Sequence, residues 1–400
     1  MPSIVENPET SQLLAELTTM VGREDPYPRY QRLRTISPVV RADDGALVVT
    51  RYADCAAVVR DGRLGHLPAN LLALLGLPDW AEHPALRHLF TSILTLNPPD
   101  HTRLRRLVSS TFTARRVQAL EPAVESIVAD LLDTFTGEVD FIEAFAFPLP
   151  VNVIGELLGV PVPDRAQFQA LVRDWSQVLD VMSPEVLATA DPAAATVRAY
   201  LADLAATRRR EPGPDLISAL VAAEEEGDRL SEDELLTMAG LLFAAGFETT
   251  TNLLANGLVA LLRNPAQAGL LAVDAAAAVE EFVRYDSPVQ LVSRVAYEPV
   301  ELGGVTVDAG ERVIAYLGAG NHDPERFDHP ERLDLARADN APLSFGGGIH
   351  YCLGAPLARL EARVAFPALL KRFPELALAG IPQRRDSLTI RGFTRLPVRT

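Results

Sequence analysis

One stretch constrains the fold of this chain more than any other. Between Ser231 and the Asn264-Pro265 pair run about thirty residues without a proline, roughly 45–50 Å of helix at 1.5 Å per residue. Ser231-Glu232-Asp233-Glu234 reads as a capping box, a hydroxyl at the cap and a glutamate three residues on, and Asn264-Pro265 ends the helix. Met238, Leu241, Leu242, Ala245 and Thr249 share one stripe at spacings of three and four. Leu235–Leu262 is long enough to cross a bilayer. Yet Glu248 stands in its middle beside Thr249, Thr250, Thr251, Asn252 and Asn256, and an isolated carboxylate is expensive in lipid. The expectation is a helix buried inside a large soluble protein.

At its centre lies Ala245-Gly246-Phe247-Glu248-Thr249-Thr250. Gly246 weakens the helix and the threonines compete for backbone carbonyls, so a local bulge or bend is expected. A carboxylate beside a hydroxyl at a loosened turn can relay protons through ordered water. A glycine for close helix packing next to a solvated glutamate is the plainer alternative, and these residues alone leave both open.

The rest of the chain supplies ample material for a large core, since 48% of its 400 residues are apolar. A net charge of −16 argues against nucleic acid as a partner. Met1–Thr10 has neither a basic start nor an apolar run, so no secretory signal is read there and a cytoplasmic setting without a membrane anchor is expected. Residues 1–25 are expected to be loosely ordered. The two cysteines, Cys55 and Cys352, are far apart and imply no disulfide framework. Cys55 lies in a helical apolar pattern and reads as core filler.

Periodicity predicts further helices at Tyr27–Ser37, His101–Phe112, Ala114–Phe135, Leu149–Leu158, Asp164–Asp180, Asp191–Arg210, Ala275–Tyr285 and Leu357–Phe373. It predicts a hairpin across Pro38–Tyr52 turning at Asp43-Asp44-Gly45, and strands at Val295–Leu302, Val305–Val307 and Arg312–Leu317, with Gly303-Gly304 as a two-residue turn. A last hairpin is expected from Leu388–Ile390 and Leu396–Val398. Arg60–Pro99 is long, apolar and irregular, which is unusual unless it covers a pocket. No repeat or linker-like tract marks an internal domain boundary.

Near the C-terminal end stands Phe345-Gly346-Gly347-Gly348-Ile349-His350-Tyr351-Cys352-Leu353-Gly354. Three glycines permit a tight loop and leave room for something flat to approach the backbone. A thiolate just ahead of a helix start is what a soft metal wants from an anionic sulfur ligand. A glycine-rich loop with an inert cysteine is the alternative. Upstream, Glu281 and Arg284 face the same way at i,i+3.

Together and in this order, these features resemble the cytochromes P450 of the soluble bacterial type. The loop matches that family's Phe-x-x-Gly-x-His-x-Cys-x-Gly pattern at Phe345, Gly348, His350, Cys352 and Gly354. Ala245-Gly246-x-Glu248-Thr249-Thr250 matches its oxygen-activation segment, and Glu281-x-x-Arg284 its Glu-x-x-Arg pair. Pro330-Glu331-Arg332 looks like the meander that supplies a third, arginine member. The resemblance implies a mainly α fold with a small β region, one large domain over residues 1–400. Within it 60–99 and 164–195 would cover the pocket, 231–264 would be the central helix and 345–354 the haem-ligand loop.

The same resemblance implies haem b (iron protoporphyrin IX) with Cys352 as axial thiolate. Phe345 would shield the sulfur, Ala245, Gly346 and Gly354 would lie against the cofactor, and loop N–H groups would tune its potential. His101, Arg105, Arg294 and His350 match the family's partners for the haem propionates. Glu281, Arg284 and Arg332 would form a buried ion network. The implied reaction inserts one atom of O2 into substrate, with protons delivered through Thr249 and Glu248. With no flavin or iron–sulfur motif in the chain, electrons would come from a ferredoxin and its NAD(P)H-dependent reductase. Arg103, Arg106 and Arg359 are candidates for docking that ferredoxin. Leu241, Leu242, Ala245, Val289, Leu291, Val292 and Phe393 would line a pocket for a bulky apolar molecule, and Phe247 would narrow it. Tailoring of a polyketide- or macrolide-like secondary metabolite is the leading reading. Catabolic, xenobiotic or steroid hydroxylation is the alternative, and a non-catalytic haem-thiolate sensor a more distant one.

Overall fold

The structure, a computed structural model, describes residues 7–179, 181–225 and 227–400. The fold is mainly α with small sheets. Its contacts divide the chain into two compact units, one drawn from residues 1–66, 252–352 and 373–400, the other from 67–251 and 353–372.

The first unit carries most of the β structure. Its five-stranded sheet runs in the order Val39–Arg41, Leu47–Val49, Arg312–Ala315, Val292–Ala296, Leu64–Gly65. Val39 pairs with Val49, Val313 with Leu47 in parallel, and Arg312 with Val295. Strand residues alternate between two apolar clusters. Val39, Leu47, Val49 and Val313 pack with Cys55 and Leu317 in one, while Val40 and Val48 pack with Tyr30, Leu33 and Tyr316 in the other. Both faces being covered explains why the return strand reads as an unbroken apolar run. Gly303 and Gly304 both have positive φ (54° and 80°), as a tight primed turn between Val300–Leu302 and Val305–Val307 requires.

Two expectations for this unit are corrected. The predicted strand Val295–Leu302 is two strands, Val292–Ala296 and Val300–Leu302, broken before Pro299, which has no N–H to give a ladder. The expected final hairpin does not form: Phe393–Arg395 pairs with Gln383–Arg384, and Pro397–Arg399 with Ala377–Leu378. A buried carboxylate organises this end of the chain. Asp286 accepts from Arg391 Nε (2.6 Å), Arg384 Nη2 (3.0 Å) and Tyr27 Oη (2.7 Å), while Arg391 also donates to the carbonyls of Arg23 (2.5 Å) and Glu24 (2.9 Å). Burial opposes that charge, but the two guanidiniums and the phenol overcome it and hold Asp286 well below the usual carboxylate range. The carbonyls it gathers belong to the helix Met20–Glu24, which with Pro8–Leu17 makes the N-terminal segment more ordered than expected from residue 7 onward.

The second unit is built from helices. Val162–Ser176 packs against Pro184–Arg210, and Ala355–Arg372 against Glu121–Asp133. Its core is aromatic, with Phe141 on Phe145, Phe168 on Phe243 and Phe147 on Phe247. The predicted helix Ala114–Phe135 is two helices, Ala114–Ala119 and Glu121–Asp133, because Pro122 lacks an N–H and sits where a first turn tolerates it. The helix expected to start at Asp191 starts at the Ser183 cap and continues through Pro192. Asp191 instead caps a different helix, accepting from Ala85 N (3.0 Å) beside His83 Nδ1 (2.6 Å). The expected helix end at Asp180 falls outside the described residues, the helix proper being Val162–Ser176.

The central helix runs from Glu232 to Arg263, 32 residues. Its capping box closes as read: Glu234 N donates to Ser231 Oγ (3.2 Å) and Ser231 N to Glu234 Oε2 (2.8 Å). Among the described residues no helix is long and apolar enough to cross a membrane.

Candidate active site

The cysteine loop belongs to the first unit. Gly346 and Gly348 have positive φ, 70° and 59°, and Gly347 is extended. A Cβ on Gly348 would lie 2.8 Å from the Val59 carbonyl oxygen, so only glycine lets the loop press onto the end of helix Tyr52–Arg60. The loop is tied across its mouth by Cys352 N donating to Phe345 O (2.9 Å), with Gly346 N on Leu343 O (2.7 Å). These bonds hold the Cys352 thiol at the surface of the unit, exposed. Cys55 is its opposite: fully buried, Sγ 3.5 Å from Val49 O and 3.4 Å from Tyr316 O, its thiol pushed far up by burial. Burial thus disfavours the anion at Cys55, while Cys352 is exposed.

Could these residues hold a haem? Among the described residues no group of three or more His, Cys, Asp or Glu could cage a bare metal ion. An exposed cysteine in a glycine loop ahead of a helix fits an iron that brings its other ligands with it, as a porphyrin iron does. Arg294 gives a second test. It is 6% exposed, among the described residues its one side-chain hydrogen bond is to the adjacent Ser293 carbonyl (2.8 Å), and burial holds its pKa down to about 10. A desolvated guanidinium with no carboxylate on it fits an anion supplied by a bound group. His350 lies in the cysteine loop, its ring edge-on to His66 at 4.6 Å. Both tests fit the group.

The second unit holds the other expected cations and the acid–alcohol pair. His101 is buried on helix Asp100–Thr111, its pKa lowered by burial and then by Arg105 one turn on. Thr249 Oγ1 donates to Ala245 O (3.2 Å) and Thr250 Oγ1 to Gly246 O (2.9 Å), so the hydroxyls do compete for carbonyls. The helix nonetheless continues without the interruption expected there. Gly246 is a packing glycine, since a Cβ there would meet Ile154 Cδ1 at 2.5 Å. Glu248 is buried and accepts from Ser176 Oγ (3.4 Å), so it is no solvated carboxylate. Phe247 turns into the unit's own core, fully buried and edge-on to Phe147, and is not placed to narrow a pocket.

Beside this segment is a recess of about 10 Å³ lined by Leu241, Ala244, Ala245, Trp175, Ser176 and His88 among others. Of the residues expected to line a pocket, Leu241 and Ala245 do so here. Leu242 is half-buried on the same helix. The other four belong to the first unit: Val289 and Val292 pack on the sheet cluster, Leu291 on the second cluster, and Phe393 is buried under the Arg384 guanidinium at 4.0 Å.

Burial, with help from Arg198 and Arg87, lowers the His88 pKa to about 4 against the pull of Asp233 and the Thr237 backbone. An unfolded chain would bind that proton near 6.5. Between those values the unfolded state holds the extra proton, so stability is full above pH 6.5 and falls as pH drops toward 4. The expected loss from this one group is about 3 kcal/mol. Urea midpoints at pH 7 and pH 4.5 should differ less in His88→Leu than in the wild type.

Glu281 and Arg284 are both fully buried and paired twice at 2.7 Å. The third arginine is not Arg332. Its side chain is 69% exposed beside Glu331, and only its carbonyl faces inward, accepting from Arg284 Nη2 (3.1 Å). Arg337 takes the place, its Nε 3.1 Å from Glu281 Oε2 and its side chain 9% exposed. Arg103 is also corrected as a docking cation, because it is spent on Asp228 (3.2 Å) and Glu234 at the start of the central helix.

A family model for cytochrome P450 matches residues 76–268 and 275–393. The chain belongs to the cytochrome P450 family. It is a P450 monooxygenase, and the family brings a haem iron. The P450 match takes in stretches of both units. The chain is 44% identical over 393 residues to cytochrome P450 107B1 of Saccharopolyspora erythraea, covering 94% of this chain and 95% of that one. It is 42% identical over 396 residues to the 6-deoxyerythronolide B hydroxylase of the same organism, covering 94% and 96%. The solved structure of the bacillaene polyketide synthase P450 PksS of Bacillus subtilis superposes with a TM-score of 0.84 at 37% identity, covering 96% and 98%. Sequence reasoning did not single out His88, Ser176 or Arg337; the first two lie within the stretches 60–99 and 164–195 expected to cover the pocket, where no local signal marks one side chain over its neighbours.

Proposed function

We propose that this P450 tailors a bulky, largely apolar secondary metabolite of polyketide or macrolide type, using haem b and electrons from a ferredoxin and its NAD(P)H-dependent reductase in the cytoplasm. The observation that supports the substrate class is the recess on the central helix, where leucine, valine, alanine and tryptophan side chains outnumber the polar His88 and Ser176. The hydroxylase and polyketide P450 relatives favour the same class over catabolic hydroxylation.

The stoichiometry is substrate, O2, two electrons and two protons giving oxygenated product and water. When bound, the haem iron supplies the activation of O2. The chain's own residues do the rest. Cys352 would hold the iron as thiolate, and Arg294, His350, His101 and Arg105 would neutralise the propionates. Thr249 spends its own proton on the Ala245 carbonyl and keeps its lone pairs free to accept another. Glu248, buried beside Ser176, holds the proton that Thr249 passes on.

Thr249→Ala should therefore keep haem and ligand binding while product formed per NAD(P)H falls on the order of 10- to 100-fold, the electrons going to peroxide. Unchanged coupling would reject the relay. The reading as a whole is tested by titrating ferric protein with macrolactones and steroids and following the spin-state absorbance shift. Macrolactones should shift it at micromolar concentration with NAD(P)H use that depends on substrate; a haem-thiolate sensor would show no such turnover.

A further inference from the structure

His88 is a polar side chain that the proposed reaction leaves without work. It lies on the helix Pro84–Phe90, 3% exposed, and neither ring nitrogen makes a hydrogen bond of good geometry among the described residues, although the Thr237 main chain is near enough to raise its pKa. A phenylalanine would fill the same volume without burying a donor and an acceptor. The ring is also pinned. It stands edge-on to Trp175 at 4.9 Å and 69°, over Gly240, where a Cβ would lie 2.8 Å from Trp175 Cη2 and 2.9 Å from His88 Cε1. Such a ring is oriented before any ligand arrives.

What the ring faces is the recess on the central helix. Ser176, another polar side chain in that wall, already directs its hydroxyl to the Arg173 carbonyl (3.0 Å) and Glu248 (3.4 Å). Leu241, Ala244 and Ala245 make the wall opposite apolar. We propose that this recess, with His88 pinned between Trp175 and Gly240, selects the substrate by taking one neutral oxygen, a hydroxyl or a carbonyl, of a bulky apolar molecule, with His88 as its hydrogen-bond partner. The inference rests on the substrate reading above and makes it specific.

Size and charge point the same way. About 10 Å³ is room for one water-sized group, which admits a hydroxyl or carbonyl oxygen and not a sugar or a carboxylate. Burial and the nearby Arg198 and Arg87 keep the ring neutral at pH 7, so one nitrogen donates and the other accepts. A hydroxyl can use either; a ketone uses the N–H.

The test is spin-state titration of the holoprotein with matched probes. One set is 5α-androstane with its 3-hydroxy, 17-hydroxy and 3-keto derivatives; the other is cyclopentadecane, cyclopentadecanol and cyclopentadecanone. In the wild type an oxygenated member of a set should bind about 10- to 100-fold tighter than its hydrocarbon. His88→Phe should erase that preference while leaving hydrocarbon affinity within about 2-fold, and His88→Gln, which keeps a donor and an acceptor, should restore part of it. His88→Leu gives the same comparison if the phenylalanine variant does not fold. Equal weakening of hydrocarbon and oxygenated probes, or no oxygen preference in the wild type, would overturn the inference and leave the substrate reading standing. Failure of every probe to bind wild-type protein would overturn both.

Discussion

Cys352→Ala is expected to abolish oxygen insertion and the haem-thiolate absorption, while Cys55→Ala should leave both intact. The two cysteines differ in what surrounds the sulfur. At Cys352 the glycine loop closes on itself through main-chain bonds and leaves the thiol exposed. At Cys55 the sulfur is sealed among Val39, Leu47 and Val313, and burial disfavours the anion. Removing Cys55 costs packing, on the order of 1 kcal/mol. Removing Cys352 would delete the proposed protein ligand of the iron, so product should fall to background in a ferredoxin-coupled assay. Comparable loss in the two variants would mean that neither sulfur has a special role.

The second large effect is on stability. Glu281→Ala should destabilise the protein by about 3–5 kcal/mol, the usual consequence of leaving a buried charge without its partner. Glu281 accepts from Arg284 Nε and Nη2, Arg337 Nε, Asn340 Nδ2 and Asp334 N, all at 3.1 Å or less. Arg284 in turn spends Nη1 on the carbonyls of Asn321 and Pro330, both 2.9 Å away. Of the donors left by the mutation Arg284 is fully buried, while Arg337, Asn340 and the Asp334 N–H are partly buried around it. A loss of that size is a large fraction of ordinary folding stability, about 5–15 kcal/mol. Arg332→Ala, by contrast, should change stability by no more than about 0.5 kcal/mol, because only its carbonyl is used. Urea midpoints of the two variants decide between them.

That contrast also shows what was legible in the chain itself. Glu281 and Arg284 sit on one helix, where i,i+3 geometry forces them together. The third arginine comes from an irregular stretch that reverses at His329, which has positive φ. No local period says which of Arg326, Arg332 or Arg337 turns back, and the main chain there turns carbonyls rather than the Arg332 side chain toward Arg284. The capping box at Ser231 and the turn at Gly303-Gly304 were readable because each is decided within four residues. The Asp191 helix start was not, since that carboxylate caps a helix about a hundred residues earlier. His88 shows the same limit: it is packed by Trp175 and over Gly240, and its pKa is lowered by that burial and by Arg198, all distant in sequence.

The proposed activity requires a sulfur–iron bond at position 352. The direct measurement is the absorption spectrum of dithionite-reduced holoprotein under carbon monoxide, wild type beside Cys352→Ala. The wild type should show the strongly red-shifted Soret band of a thiolate-ligated haem and the variant should not. A wild-type protein that folds with ample porphyrin available yet stays colourless, or binds haem without that band, would contradict it.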